Sequence, residues 1–217
     1  MGQDMNLAFG TCKPVLQVFE SLPVAEIQHM RRVGLLAELF TRRLADTGFF
    51  EGRPDAYQLF GKAAVYHDIG KAWVPNEILI KPDRLTNQER RIMRRHPEFS
   101  IKFFDEVENK CRTGLSDQLF YLARDCALYH HEWWNGNGYP FKKAYGEIPL
   151  IARITSICDA YDAMTSNRFY RVAHDHDFAC RELRRCTGIQ FQPGLILQFL
   201  SSHISLDDLA HLKTAGF

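Results

Sequence analysis

Histidine and aspartate side chains recur along this sequence at positions where several of them could bind metal ions together. Each falls at the end or on the inner face of a helix that the sequence predicts. Imidazole and carboxylate groups are the ligands that divalent first-row metals prefer. The candidate ligands are His29, His67, Asp68, His96, His130, His131 and Asp159. Taken singly, any one of these histidines is better interpreted as a hydrogen-bonded core or surface residue.

The adjacent pairs His67-Asp68 and His130-His131 shift that balance towards a metal cluster. Two neighbouring imidazoles that enter a helical core carry a desolvation cost unless something satisfies their nitrogens, and metal ions would do so. The other four histidines have no such setting, and we interpret them as solvated. They are His174, His176, His203 and His211.

Helical periodicity runs through nearly the whole chain and predicts the elements that position these residues. Thr86 and Glu89 form a capping box that predicts the start of a helix, and Pro97 is expected to restart that helix. Gly70 is expected to end the preceding helix, predicted over 55–68. The predicted helices span about 26–44, 55–68, 86–96, 97 onward, 115–130, 149–164, 177–186, 193–203 and 206–213. Between them, residues 133–147 carry three of the 14 glycines and predict an ordered loop. The fold class is all-α.

Composition narrows the classes of protein to consider. The 217 residues are 46% hydrophobic and 24% charged, values typical of a globular protein, which excludes a disordered, collagen-like or coiled-coil chain. Lys+Arg total 27 and Asp+Glu 26, a formal charge of +1, so a nucleic-acid binder with a broad basic surface is disfavoured. No apolar run approaches the ~20 residues needed to cross a bilayer. The six cysteines form no CxxC pair, and we expect reduced thiols in a cytoplasmic protein.

Three stretches of the sequence resemble the HD-GYP family of metal-dependent phosphodiesterases. They are HDIGKAWVPNEILIKPDRLTNQERRIMRRH (67–96), HHEWWNGNGYP (130–140) and IPLIARITSICDAYDAMTSNRFYR (148–171), and GIQFQPGLILQFL (188–200) resembles the closing helix of that family. The resemblance implies an HD-GYP domain over 26–203, after a short helical segment over 1–25 and before a helical tail over 204–217. It implies a compact helical bundle around a bi-metal site, which hydrolyses cyclic di-GMP to pGpG, GMP or both.

The same resemblance assigns the metal ligands. His29, His67, Asp68 and Asp159 would hold one metal, and Asp68 would bridge to a second metal held by His96, His130 and His131. Two such metals can hold a bridging hydroxide that attacks phosphorus near neutral pH, and we find no Ser or Cys triad that would compete with this chemistry. Iron or manganese is the metal that the family implies, although these ligands also suit nickel, cobalt or zinc.

The resemblance also implies contacts with the substrate. Lys71 would contact the scissile phosphate and offset developing charge. Arg168 and Arg171 would hold phosphates of the ligand through their guanidinium groups. In the GYP segment, Gly138 would allow close backbone approach to the ligand and Tyr139 would stack on or abut a guanine. Asp162 is expected to orient a metal ligand or an arginine.

One departure from the family pattern concerns the number of metals. Family members with three metals carry Glu four residues before the first ligand histidine, where this chain has Ala25. Glu26 lies one residue later, and we therefore expect two metals. Little sequence precedes the domain, so we expect regulation through the short segment before it, a separate protein partner such as a diguanylate cyclase, or expression.

Two other functions remain open at this level. One keeps the metals and changes the substrate to a GMP-AMP hybrid dinucleotide or another nucleotide. The other is a non-catalytic protein that senses a cyclic dinucleotide or docks a diguanylate cyclase. The presence of all seven ligand positions argues against the second. The oligomeric state is not predicted.

Overall fold

Helices account for the regular secondary structure of the described residues. The computed structural model describes residues 13–50, 57–110, 116–167 and 172–202. The α-helices in these ranges are α1 (Lys13–Glu20), α2 (Val24–Asp46), α3 (Phe60–Ala64), α4 (Asn76–Leu79), α5 (Asn87–Met93), α6 (His96–Lys110), α7 (Asp117–Tyr129), α8 (Leu150–Thr165), α9 (His176–Arg185) and α10 (Pro193–Ser201). Short 3-10 helices span Ile69–Trp73 and Tyr145–Glu147. No β-strand occurs in the described ranges, and the predicted all-α class is confirmed.

The long helix α2 lies against α3 and α8 and brings one side of the site into the core. Its apolar residues recur at helical spacing, and Met30, Val33, Phe40 and Leu44 are buried along one face. Burial of this face, at ~25 cal/mol per Å² of apolar surface, is what holds the helix in place. His29 precedes Met30 on the same helix and is itself 6% exposed, so core packing carries its imidazole inside.

The predicted capping box at Thr86 and the predicted restart near Pro97, on either side of His96, are also confirmed. The Thr86 hydroxyl accepts a hydrogen bond from the Glu89 N–H at 3.2 Å, and the Glu89 carboxylate accepts one from the Thr86 N–H at 2.7 Å. After α5 ends, α6 begins at His96 with Pro97 in its first turn. Because proline is tolerated in the first turn of a helix, the restart places His96 at an N-terminus that faces the core.

The region from 55 to 70 differs from its prediction. In place of one helix over 55–68, α3 spans Phe60–Ala64, and residues 51–56 lie outside the described ranges. Gly70 does not end this helix but lies inside the first 3-10 helix. A Cβ atom at Gly70 would collide with the carbonyl oxygen of His96. The glycine is therefore explained by the close approach of α6, a tertiary contact that a helix-stop pattern does not reveal.

Towards the C-terminus, the structure gives α9 and α10 close to their predicted bounds, whereas the predicted helix over 206–213 lies outside the described residues. Of the histidines expected to be solvated, His176 is exposed but its Nδ1 lies 2.8 Å from the Tyr161 hydroxyl, and His174 stacks on Phe178. Across the described ranges, no helix combines the length and the apolar character required to span a bilayer.

Candidate metal centre

The structure brings all seven predicted ligand side chains together where five helices of the bundle meet. His29 comes from α2, His67 and Asp68 follow α3, His96 begins α6, His130 and His131 follow α7, and Asp159 lies in α8. Five of the seven are buried, whereas His131 and Asp159 are partly exposed. The cluster is therefore sealed on the core side and reaches solvent beside these two residues.

Asp68 divides the cluster into two halves. We call His29, His67 and Asp159, with Asp68 Oδ2, the first half. His67 Nε2 lies 3.2 Å and His29 Nε2 3.5 Å from Asp68 Oδ2. Asp159 Oδ1 lies 3.1 Å from His29 Nε2.

The second half consists of His96, His130 and His131 with Asp68 Oδ1. Asp68 Oδ1 lies 3.0 Å from His96 Nε2 and 3.6 Å from His130 Nε2. One potential ligand atom from each of these four residues lies within 4.8 Å of the others. Each half therefore gathers enough imidazole and carboxylate groups to hold a metal ion, with the Asp68 carboxylate between them.

Backbone hydrogen bonds determine which imidazole nitrogens face the centre of the cluster. His67 Nδ1 lies 2.9 Å from the Ala64 carbonyl oxygen, and His96 Nδ1 lies 2.9 Å from that of Met93. His130 Nδ1 likewise faces carbonyl oxygens at the end of α7. A carbonyl oxygen only accepts, so each Nδ1 must be the protonated nitrogen. In the neutral ring Nε2 then carries a lone pair directed at the cluster, as in metal-binding histidines.

The donor set fits a cation between these nitrogens. His96 Nε2 and His130 Nε2 lie 3.3 Å apart, a separation at which two lone pairs repel each other. Asp68 Oδ1 is buried and has no hydrogen-bond partner among the described residues. A buried carboxylate oxygen without a partner carries a large desolvation penalty. A divalent cation would satisfy both nitrogens and this oxygen at once, so the residues present fit metal binding.

Protons can satisfy part of the first half. Burial by itself lowers the pKa of His29, but hydrogen bonds with Asp159 and Asp162 outweigh it and hold that pKa well above its ordinary value. Burial likewise favours the neutral form of Asp159, but the His29 imidazole outweighs it and lowers the pKa of that carboxyl. A protonated His29 can thus donate to carboxylates on both sides.

In the second half, no imidazole is held protonated between two carboxylates in this way. Burial lowers the pKa of His130 despite its neighbour Asp68. Burial, together with the neighbouring imidazoles His130 and His96, holds the pKa of His131 well below its ordinary value. His130 and His131 therefore stay neutral at physiological pH and keep lone pairs available to a metal.

Lys71, predicted to contact the scissile phosphate, projects to the edge of the cluster. Its Nζ lies 2.7 Å from Asp68 Oδ2 and 2.7 Å from Glu26 Oε2. Burial lowers the pKa of Lys71, but the two carboxylates outweigh it and raise that pKa above its ordinary value. The ammonium therefore stays charged. Sequence reasoning did not find the pairing of Glu26 with Lys71, because the two residues lie 45 positions apart.

Asp162 was expected to orient a metal ligand or an arginine, and it contacts one of each. Its Oδ2 accepts a hydrogen bond from His29 Nδ1 at 2.7 Å. The Arg32 guanidinium donates to Asp162 Oδ1 at 2.6 Å and to Oδ2 at 3.0 Å. This bidentate pair fixes the carboxylate, and the carboxylate in turn directs His29 Nε2 at the first half. Arg32 was missed in the sequence, although it lies on the same helix as His29.

The loop after the second half packs tightly on itself. A Cβ atom at Gly138 would collide with the backbone of Glu132 and Trp133. Buried Glu132, also missed in the sequence, accepts a hydrogen bond from the Phe141 N–H at 2.6 Å. The close approach that Gly138 permits is thus to the chain's own backbone, and its predicted contact with a ligand remains a prediction.

Tyr139 lies beside the second half rather than free at the surface. Its ring stacks on His131 with 4.7 Å between ring centroids and an interplanar angle of 22°. The Tyr139 N–H also donates to the His131 carbonyl oxygen at 3.0 Å. Part of the ring surface predicted to meet a guanine is therefore used to hold His131. The predicted phosphate-binding residues Arg168 and Arg171 lie outside the described residues.

Comparison with known proteins settles the family. The profile of the family described as HD domain matches residues 24–193, which is most of the chain. The chain belongs to the HD domain family. Among solved structures, an HDG"Y"P protein from Bdellovibrio bacteriovorus is 19% identical with a TM-score of 0.57, over 81% of this chain and 51% of that one. At this identity the likeness shows the shared HD-domain fold.

Curated relatives of this HD domain protein carry two kinds of name. A cyclic di-GMP phosphodiesterase of Vibrio cholerae serotype O1 is 34% identical over 75% of this chain and 33% of the relative. A 3′3′-cGAMP-specific phosphodiesterase 2 of the same organism is 33% identical over 77% of this chain and 30% of the relative. The chain thus spans about a third of the length of these relatives. The relatives confirm the resemblance to HD-GYP phosphodiesterases.

Proposed function

We propose that this protein is a metal-dependent phosphodiesterase that hydrolyses cyclic di-GMP to pGpG, GMP or both. The observation that carries the proposal is the second half of the cluster. Inward-facing lone pairs of His96 and His130 meet Asp68 Oδ1 there, which has no hydrogen-bond partner among the residues that the structure describes, and a divalent cation explains this arrangement. The names of the relatives support a cyclic dinucleotide as the substrate.

Two divalent ions, with iron or manganese favoured, would be held by the two halves with Asp68 shared. When bound, these ions supply a water activated for attack on phosphorus. In the overall reaction the water oxygen bonds to phosphorus, the bond from phosphorus to one ribose oxygen breaks, and that oxygen takes up a proton. Pairing of Glu26 with Lys71 supports two ions rather than three.

Protein side chains would position the substrate around this centre. Lys71 is held at the edge of the cluster as a cation, where it can contact the scissile phosphate and stabilise charge that grows in the transition state. Tyr139 would stack on or abut a guanine, Gly138 would allow close backbone approach to the ligand, and Arg168 and Arg171 would hold phosphates. A cytoplasmic location and a regulatory partner such as a diguanylate cyclase complete the proposal.

A GMP-AMP hybrid dinucleotide is the second candidate substrate, because a relative named for 3′3′-cGAMP is about as similar in sequence as one named for cyclic di-GMP. Turnover of cyclic di-GMP, 3′3′-cGAMP and linear pGpG by the same protein distinguishes the candidates. Highest kcat/KM on cyclic di-GMP is the expected result. Tight binding of a dinucleotide without any turnover would instead indicate a non-catalytic sensor.

Lys71→Ala tests the role of the lysine, with Lys62→Ala, an exposed lysine on α3, as its control. Loss of a charge-assisted contact made mainly in the transition state lowers kcat and kcat/KM together. We expect a decrease of about ten- to a hundredfold with both metals retained, and no change in Lys62→Ala. Full activity of Lys71→Ala at low substrate concentration would contradict the assignment.

A further inference from the structure

Arg94 places a cation beside the metal centre. Its guanidinium carbon lies 4.2 Å from the centroid of the Tyr139 ring, and the same ring stacks on His131 of the second half. The side chain is exposed, so solvent and solutes reach it. A single aromatic ring therefore separates this guanidinium from the second half of the metal centre.

The charge of Arg94 lacks a carboxylate partner in the described part of the chain, where its guanidinium forms no ion pair or hydrogen bond. Other cations near the site differ in this respect. Lys71 lies 2.7 Å from both Asp68 and Glu26, and Arg32 is bound by Asp162. Arg94 thus keeps its planar set of N–H donors free for an anion, the arrangement that suits phosphate oxygens.

The neighbouring Arg95 shows that an exposed arginine in this segment does not necessarily lack a carboxylate partner. Arg95 is also exposed and also lies over an aromatic ring, with 5.0 Å from its guanidinium carbon to the Phe99 centroid. Its Nε, however, donates to the Glu98 carboxylate at 3.2 Å, whereas Arg94 has no such partner in the described residues. Arg95 is therefore a matched control for Arg94.

We propose that Arg94 binds the phosphate of the cyclic dinucleotide that is not being cleaved; this inference rests on the proposed function. The scissile phosphate must lie at the cluster, where Lys71 already stands. A cyclic dinucleotide has a second phosphate on the other side of its ring, which cannot occupy the same position. Arg94, displaced from the cluster by the Tyr139 ring, is placed to receive it.

The test compares two substrates in one protein preparation. Bis(p-nitrophenyl) phosphate has a single phosphate, whereas cyclic di-GMP has two, so only cyclic di-GMP can use Arg94 as proposed. The measured quantity is the ratio of kcat/KM on cyclic di-GMP to kcat/KM on bis(p-nitrophenyl) phosphate. We expect Arg94→Ala to lower this ratio about tenfold through a higher KM for cyclic di-GMP. Arg94→Lys, which keeps the charge but not the planar fork, should lie between.

The outcomes separate the alternatives. An unchanged ratio in Arg94→Ala, equal to that of Arg95→Ala, would overturn the role of Arg94 and leave the proposed function intact. An equal loss on both substrates would also overturn it, because Arg94 would then act through Tyr139 and His131 on the metal centre. Wild-type protein that cleaves only bis(p-nitrophenyl) phosphate would overturn the proposed function and this inference with it.

Discussion

The two halves of the metal centre share Asp68 but differ in how they are satisfied. In the first half, His29 lies between the carboxylates of Asp159 and Asp162, and a proton on its imidazole can pair with both. In the second half, three imidazoles surround one buried oxygen that has no partner in the described residues. A structural ion-pair network would account for the first half without any metal. It does not account for the second, which is why the metal assignment depends mainly on that half.

Removal of Asp68 should have the largest effect, because its two oxygens face the two halves. Asp68→Ala should lose both ions and lower kcat/KM by at least about a thousandfold, since metal stabilisation of the transition state is worth several kcal/mol. Metal analysis and a product assay measure the two quantities, and circular dichroism reports whether the helices persist.

Asp105→Ala, at an exposed position of α6, serves as the control and should match wild type. The isosteric Asp68→Asn keeps the volume of the buried side chain and should give the same loss of metal. Near-normal metal content in either Asp68 variant would rule out the bridging role.

Single histidine variants should separate the halves. His130→Ala should lose the ion of the second half and keep that of the first, whereas His29→Ala should do the reverse. Anomalous scattering from crystals of each variant locates the ion that remains. If His29→Ala keeps both ions, His29 is not a ligand, and the first half is an ion-pair network in which protonated His29 pairs with its neighbouring carboxylates. The metals would then be bound by other residues.

A smaller effect should follow from Asp162→Asn, which acts on His29 without removing a ligand. The amide cannot hold His29 Nδ1–H and Arg32 as the carboxylate does, so His29 Nε2 loses its fixed direction. We expect about ten- to a hundredfold weaker metal affinity at the first half only, measured by competition with a chelator. Asp177→Asn, at an exposed position of α9, is the control. Equal weakening at both halves would show that Asp162 supports the fold rather than His29.

Glu26→Gln should have the smallest effect. Lys71 would lose one of its two carboxylate partners but keep Asp68, so we expect kcat to fall only about three- to tenfold while the metal content stays the same. The number of metal ions per chain in Glu26→Gln decides whether Glu26 is a partner of Lys71 or a metal ligand. Loss of an ion from Glu26→Gln would identify this residue as a ligand of a third metal.

Much of the fold was predictable because the signals are local. The apolar face of α2 and the capping box at Thr86 depend on residues within a few positions of one another. Gly70 was misread because its role comes from contact with the His96 carbonyl, 26 positions away in the sequence. A helix-end pattern and a packing constraint both select glycine, and only the structure distinguishes them.

The candidate site likewise has features that the sequence predicts and features that only the structure reveals. The ligand positions came from family motifs, and the structure brings them together. The partners of those ligands did not come from motifs: Glu26 beside Lys71, Arg32 beyond Asp162 and Arg94 over Tyr139 are pairings across distant parts of the chain. In the sequence, each of these residues is an ordinary charge on a helix, typical of a solvated surface.

The most direct test of the account is metal analysis of anaerobically purified protein combined with a product assay on cyclic di-GMP. We predict two divalent ions per chain and formation of pGpG or GMP. We also predict loss of turnover on chelation, with recovery when iron or manganese is restored. Full turnover by metal-free protein would contradict these predictions, as would protein that holds both ions and leaves cyclic di-GMP intact.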